Sequence, residues 1–116
     1  TQVDVVTDKD EHRFVLRVQN ISDKLLAFDF NTSQNFDFVV MDPRRGIEVW
    51  RWSERLFFSE VERSEGLQSG SEWRFEASWT HRDKESNKVI PGVYEVIAIL
   101  VAESPVESAP IQIEVP

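Results

Sequence analysis

One stretch, residues 31–53, is typical of two β-strands joined by a tight turn, and it constrains the fold more than any other part of the chain. Phe36, Phe38 and Val40 alternate with other residues at the period of two that marks a half-buried strand. Residues 42–46 (DPRRG) supply a turn, because proline fixes φ early in a turn and glycine accepts positive φ where the turn ends. Alternation resumes after the glycine. The pattern predicts an antiparallel hairpin.

The second strand of this hairpin carries Trp50, Arg51 and Trp52 in succession. Because neighbouring side chains of a strand point to opposite faces, both indoles share one face and the arginine takes the other. Covered indoles bury a large apolar area, whereas uncovered indoles form an adhesive patch. Two interpretations follow: the indoles belong to the core and Arg51 reaches out to solvent, which we favour, or this hairpin contacts a partner.

The rest of the chain repeats the strand period between turn signals that are spaced about ten residues apart. Strands are predicted at 2–6, 12–20, 24–30, 73–79, 92–102 and 111–115. A turn or short helix capped by Ser53 is predicted at 53–59, followed by a short strand at 61–63. Loops are predicted at 7–11, 20–23, 64–71 and 80–91. Leu26, Phe28 and Phe30 are expected to face the core. Seven to nine short strands predict an all-β fold, an immunoglobulin-like antiparallel β-sandwich, with a partly open barrel as the alternative.

Length, charge and cysteine content narrow the function classes. The 116 residues fit a single domain over 1–116. A net charge of -8 argues against binding to nucleic acid or to an anionic membrane surface. No apolar run reaches the length of a membrane span, so membrane insertion is not expected. The absence of cysteine excludes disulfides, thiolate metal sites and a cysteine nucleophile.

No pattern for catalysis, a cofactor or a metal stands out. Asp8 and Asp10 lack the glycine and the later glutamate of a calcium loop. His12 and His81 are the two histidines, and neither stands in a His-x-x-Glu-His pattern or beside a glycine-rich phosphate loop. We therefore expect a protein that is not an enzyme and has no cofactor and no metal. Asp37 is expected to stabilise the fold by accepting hydrogen bonds or by pairing with an arginine near the hairpin.

The hairpin and its flanks resemble the intracellular proteinase inhibitor family, also called BsuPI-like. The residues that carry the resemblance are Phe30, Ser33, Gln34, Phe36, Asp37, Phe38, Val40, Asp42, Gly46, Val49, Trp50, Arg51, Trp52, Ser53, Phe58, Gly70, Trp79 and the run PGVY at 91–94, which includes Gly92 and Tyr94. The resemblance extends over about residues 12–100. Its hairpin motif is specific, whereas the Pro-Gly-x-Tyr run is found in many immunoglobulin-like domains.

The resemblance implies a cytoplasmic protein that binds and inhibits a serine proteinase of the subtilisin-like class. It identifies no reactive loop, so the candidates are the loops 53–60 and 80–91. In the first loop, Leu56 or Phe57 suits a large apolar S1-type pocket. Residues expected to contact the partner are Arg51, Ser53, Arg55, Leu56 and Phe57, and those expected to have structural roles are Gln34, Phe36, Asp37, Trp50, Trp52, Gly92 and Tyr94.

A second hypothesis is a non-catalytic, immunoglobulin-like interaction or accessory module within a larger envelope or secreted protein. The chain starts at Thr1 rather than at a methionine, which leaves room for a preceding signal peptide, tag or domain. Secretion or attachment to the cell envelope is therefore an alternative to a cytoplasmic location. The target proteinase and the oligomeric state are not predicted by the sequence.

Overall fold

A computed structural model describes residues 2–8 and 10–116, and within them it contains ten β-strands and one short 3-10 helix. The strands are β1 Gln2–Thr7, β2 His12–Gln19, β3 Leu26–Phe30, β4 Phe36–Asp42, β5 Ile47–Arg51, β6 Arg63–Leu67, β7 Glu72–Trp79, β8 Gly92–Leu100, β9 Val106–Glu107 and β10 Ile111–Val115. The 3-10 helix, Trp52–Arg55, follows β5. The predicted all-β class is confirmed, with one strand more than the predicted seven to nine. No helix among the described residues is long and apolar enough to cross a membrane.

The strands pack as two antiparallel layers around one hydrophobic core. Apart from a separate two-stranded ribbon of β3 and β6, one layer contains β1, β2 and β7 in that order. The other contains β10, β8, β4 and β5 in that order, with β9 beside β8. Alternate residues of β2, β4 and β8 fill the interior, among them Phe14, Leu16, Phe38, Val40, Tyr94, Val96, Ala98 and Leu100. The predicted sandwich is therefore present, and its likeness to immunoglobulin domains stays a prediction.

A buried asparagine makes the bend between β2 and β3. The Nδ2 group of Asn20 donates to the carbonyl oxygens of Lys24 at 2.7 Å and Leu67 at 2.8 Å. Its Oδ1 accepts from the backbone N–H and the hydroxyl of Ser22 at 3.0 and 2.6 Å. Every hydrogen-bonding group of the buried amide is thus satisfied, as burial requires. The bend turns the start of β3 outward, so the expectation that Leu26 faces the core is wrong: its side chain is 38% exposed.

Two further local predictions are wrong. The strand expected at 61–63 is instead β6, Arg63–Leu67, which shares only Arg63 with the prediction, extends into the predicted loop 64–71 and pairs with β3. Its sequence, RSEGL, has no strand period, and its pairing partner is distant in sequence, so local patterning does not reveal it. Ser53 does not cap the short helix, since its hydroxyl donates to the carboxylate of Asp37. Thr1 and Lys9, at the start of the chain and in the predicted turn 7–11, lie outside the described residues.

The predicted hairpin is confirmed, and its turn is organised by Asp42. The Asp42 carboxylate accepts from the backbone N–H of Arg44 at 3.0 Å and from Nε of Arg45 at 2.8 Å. The hydrogen bond from Arg45 is the main reason why the pKa of Asp42 lies below its ordinary value. Gly46 adopts φ of 65°, the left-handed region that favours glycine, and donates to the carbonyl of Asp42 at 2.8 Å.

The two histidines, far apart in sequence, form a buried pair. Nδ1 of His12 lies 2.7 Å from Nε2 of His81, so one ring donates the proton and the other accepts it. His12 is 0% exposed and His81 is 8% exposed. Burial lowers the pKa of both imidazoles, and the neighbouring His81 lowers that of His12 further. The carboxylates of Asp10 and Glu11 oppose this effect at His81 without reversing it. Above pH 6.5, the ordinary pKa of histidine, the folded protein therefore holds the pair neutral.

We expect the free energy of unfolding to fall as the pH drops below 6.5, the ordinary pKa of histidine. Both pKa values are lower in the folded state, so the unfolded chain binds more protons just below pH 6.5. Urea unfolding at about pH 7.5 and about pH 5.5 measures the difference. His81→Asn, which tolerates the positive φ of 62° at this position, should show a smaller fall than the wild-type protein. Equal falls in both proteins would contradict a neutral pair.

Candidate functional site

Asp37, near the start of β4 and 3% exposed, connects the hairpin to the chain that follows it. Its Oδ1 accepts from the backbone N–H groups of Phe38 at 2.9 Å and Ser53 at 3.1 Å. Its Oδ2 accepts from Nη1 of Arg51 and Nε2 of Gln34, each at 3.3 Å, and from the hydroxyl of Ser53. The expected pairing of Asp37 with an arginine is present. Through these bonds Arg51 and Ser53 fix the direction in which the chain leaves β5. The expectation that they contact a partner stays a prediction.

Aromatic rings support the same region from the core side. Phe36 stacks between Trp52, at 4.2 Å between ring centroids, and Phe75, at 5.0 Å. Trp52 also contacts Phe58 at 6.0 Å, and Trp50 lies 6.2 Å from the buried Trp79. Both indoles of the hairpin are half-buried against the core, although β5 ends before Trp52. Both rings therefore pack against the core, as the favoured interpretation expects. Their exposed parts remain accessible beside the following segment, so contact of the hairpin with a partner stays a prediction.

Residues 56–62 form an irregular segment with exposed apolar side chains, which we call the exposed segment. It begins in an extended conformation, with φ and ψ of Leu56 at -103° and 155°. Phe57 is 100% exposed, and Leu56 and Val61 are each about half exposed. A fully exposed phenylalanine leaves a large apolar area in water, which is unfavourable for an isolated protein. The exposed segment thus offers an apolar side chain that the fold itself does not use.

Hydrogen bonds hold the backbone on both sides of Phe57. Before it, the N–H of Leu56 donates to the carbonyl of Ser53 at 3.0 Å. After it, the N–H of Ser59 donates to the hydroxyl of Ser33 at 2.9 Å, and the N–H of Ser33 donates back to the carbonyl of Ser59 at 2.9 Å. We call this reciprocal pair the serine clasp. It fixes the exposed segment to the loop before β4 while the ring of Phe57 projects into solvent.

Arg63, the first residue of β6, in turn fixes the loop that carries Ser33. Its Nε donates to the carbonyl of Thr32 at 2.9 Å, and its Nη2 donates to the carbonyl of Gln34 at 3.1 Å and to Oδ1 of Asn35 at 2.6 Å. The guanidinium also lies 4.3 Å from the ring centroid of Phe30, in cation–π geometry. The sequence analysis missed Arg63 and the serine clasp, because their partners are about thirty residues distant and leave no local pattern.

The second candidate loop, 80–91, is closed on itself. The Asp83 carboxylate accepts the backbone N–H groups of Glu85 at 2.9 Å and Asn87 at 3.0 Å. The N–H of Asp83 donates to the carbonyl of Asn87, and that of Val89 to the carbonyl of the buried His81. These bonds fold the backbone of residues 81–89 back on itself, whereas the exposed segment begins in an extended conformation. Of the two candidate loops, the one with Phe57 therefore has the geometry that suits insertion.

The two candidate loops lie side by side. Nη2 of Arg55 donates to the carbonyl of Lys84 at 2.7 Å. The ammonium of Lys84 lies 2.6 Å from Oε2 of Glu48, whose other oxygen accepts from Nη2 of Arg51 at 2.7 Å. These cations lower the pKa of Glu48, with Arg51 the larger cause, and Glu48 raises the pKa of Lys84. The network joins loop 80–91 to the strand that precedes the exposed segment.

Gly92 and Tyr94 lie elsewhere, at the start of β8, whereas Phe36 pairs with Leu100 at its end. Gly92 has φ of 145°, and a side chain there would approach the guanidinium of Arg44 within 3.0 Å. The hydroxyl of the buried Tyr94 donates to the carbonyl of Ile90 at 2.6 Å. Both residues fix the entry into β8 and do not contribute to the surface around Phe57.

The family model described as BsuPI, intracellular proteinase inhibitor, matches residues 1–105. The match therefore covers most of the 116 residues. It includes the hairpin, the exposed segment and loop 80–91. No curated protein matches the sequence.

Asp37→Ala is expected to lower the free energy of unfolding by about 3 kcal/mol, because Arg51 and the N–H of Ser53 lose a buried acceptor. Urea unfolding monitored by tryptophan fluorescence measures the loss. Asp23→Ala, in the exposed turn after β2, is the control and should change stability by no more than about 0.5 kcal/mol. A loss below about 1 kcal/mol for Asp37→Ala would contradict the role assigned to this carboxylate.

Ser33→Ala removes one of the two hydrogen bonds of the serine clasp. The loss of a hydrogen bond that contributes about 1 kcal/mol should make local opening of the segment about five times more frequent. The rate of amide exchange at Ser59 should therefore rise about fivefold. Hydrogen exchange followed by NMR measures the rate residue by residue. Ser69→Ala, which removes a hydroxyl bonded to the distant Ser22 carbonyl, should leave Ser59 unchanged. Unaltered exchange at Ser59 in Ser33→Ala would show that the clasp does not hold the segment.

Proposed function

The chain belongs to the intracellular proteinase inhibitor family, and we propose that it inhibits a serine proteinase of the subtilisin-like class by inserting residues 53–60 into the active-site cleft. The members of this family are inhibitors rather than enzymes, so the protein acts by binding. In the proposed complex, Phe57 fills the S1 pocket, and Arg55 and Leu56 occupy the positions before it. The description of the family also supports a location inside the cell, which we propose for this protein.

The observation that carries the proposal is the full exposure of Phe57 on a backbone that is held on both sides. Burial of a phenylalanine side chain in an apolar pocket contributes roughly 1.5–3 kcal/mol. A backbone that is already ordered loses less conformational entropy when it binds. An exposed apolar anchor on an ordered segment therefore combines the two features that tight protein binding requires.

The contacts after Phe57 also explain how such a segment would resist turnover. With Phe57 in S1, the scissile bond is the one between Phe57 and Phe58. The ring of Phe58 packs on Trp52, and Ser59 is hydrogen-bonded to Ser33 through both its N–H and its carbonyl oxygen. After cleavage, these contacts would keep the new amino terminus beside the acyl-enzyme. Religation would then compete with hydrolysis, and the cleft would stay occupied.

We expect the wild-type protein to inhibit an intracellular subtilisin-like proteinase, and Phe57→Ala to weaken inhibition at least about tenfold, because S1 loses its apolar occupant. Titration of proteinase activity with each purified variant measures the inhibition constants. The matched control is Ile21→Ala, since Ile21 is 94% exposed and lies at the bend between β2 and β3. Its inhibition constant should equal that of the wild-type protein.

Two results would count against this proposal. Full proteinase activity in the presence of micromolar wild-type protein would reject the subtilisin-like class as target and favour the accessory-module hypothesis. Inhibition that is equally strong with Phe57→Ala would retain the function but assign it to another surface.

A further inference from the structure

A cavity of about 190 Å³ lies between residues 50–55, which precede the exposed segment, and loop 80–91. Its apolar side is formed by Trp50 and Trp52, and cationic side chains, Arg55 and Arg82 among them, line the rest. The volume corresponds to roughly six waters of liquid, at about 30 Å³ each. It is thus large enough for the end of one side chain and too small for a folded element.

Arg51 and Lys84 at this cavity are paired with carboxylates, whereas, within the part of the chain that the structure describes, Arg55 and Arg82 are not. Among the described residues, neither Arg55 nor Arg82 has a carboxylate oxygen within 4.0 Å. The two acidic residues of the lining are engaged: Asp83 accepts backbone N–H groups of its own loop, and Glu54 lies 3.8 Å from Lys84. Two guanidinium charges therefore remain available in a protein whose net charge is -8.

Backbone contacts hold both guanidinium groups in place. Arg55 donates to the carbonyl of Lys84 at 2.7 Å, and Arg82 donates through Nη1 to the carbonyl of Ser86 at 2.9 Å. A carbonyl acceptor orients a guanidinium without cancelling its charge. Each group also keeps further N–H donors, because arginine has five and one is used here. The two guanidinium groups are thus held in fixed positions and keep N–H donors with which they can bind an anion.

We propose that this cavity is a carboxylate subsite that takes an acidic side chain from the rim of the target proteinase. This inference rests on the proposed function for the identity of the partner. Arg55, the last residue of the 3-10 helix, precedes Phe57 by two residues, which a chain can separate by at most about 7 Å, so a cleft that holds Phe57 brings its rim over the cavity. Guanidinium groups bind carboxylates through paired, charge-assisted hydrogen bonds, and the indoles contact the aliphatic part of the side chain. The overall negative charge disfavours a polyanion such as nucleic acid as the occupant.

A peptide titration tests the subsite without a proteinase. The probe is acetyl-tetraglutamate amide, the neutral control is acetyl-tetraglutamine amide, and the readout is the indole N–H signals in NMR spectra. We expect saturable shifts of Trp50 and Trp52 with the acidic peptide alone, and none at Trp73, which does not line the cavity. Arg55→Gln combined with Arg82→Gln should abolish these shifts. Equal shifts with both peptides, or shifts that persist in the double variant, would overturn the subsite.

Inorganic phosphate at the same concentrations separates a carboxylate side chain from a free anion. A weaker response to phosphate than to the acidic peptide supports the proposal, since phosphate has no aliphatic part to contact the indoles. An equal or stronger response would overturn it in favour of a free-anion site.

Inhibition kinetics link the subsite to the proteinase. At low salt, the double variant should associate with the subtilisin-like proteinase about fivefold more slowly than the wild-type protein. The control is Arg74→Gln on β7, where the arginine is paired with Glu76. Peptide binding without inhibition of the proteinase would refute the proposed function and keep the carboxylate subsite. Inhibition with an unchanged association rate in the double variant would reject the rim contact and keep the proposed function.

Discussion

The buried carboxylate of Asp37 is the interaction on which the rest of this structure depends. A carboxylate that is removed from water is tolerated only where donors surround it, and here backbone, hydroxyl, amide and guanidinium groups from both ends of the hairpin converge on it. The first consequence is local: the chain leaves β5 in a fixed direction at Ser53. The second is functional, because the segment that follows begins from a rigid point rather than from a flexible loop.

The exposed segment is then held at its other end by contacts that belong to different parts of the chain. The serine clasp joins it to the loop before β4, and Arg63 holds that loop by three hydrogen bonds and a cation–π contact. Rigidity at both ends and full exposure of Phe57 between them are properties that the fold alone does not need. They are the properties by which an inhibitor presents one side chain to a cleft at low entropic cost.

Strand patterning predicted much of this architecture, because alternation is a local property. The period of two in β2, β4 and β7 identified three of the strands that form the core, and DPRRG identified the hairpin turn. β6 was missed, since its pairing with β3 is non-local and its residues show no alternation. The prediction that Ser53 caps the helix failed for a related reason. The 3-10 helix begins one residue earlier, at Trp52, and the hydroxyl of Ser53 donates to the Asp37 carboxylate, which lies on a different strand. The exposure of Phe57 and the pairing of His12 with His81 likewise arise from tertiary structure.

Hydrogen exchange of the complex with a subtilisin-like proteinase, followed by mass spectrometry, tests the central claim most directly. If residues 53–60 enter the cleft and loop 80–91 lies at its rim, amide protection on binding should be confined to these two regions. Protection at the bend between β2 and β3, or around Gly92 at the start of β8, with none across Phe57, would contradict the account.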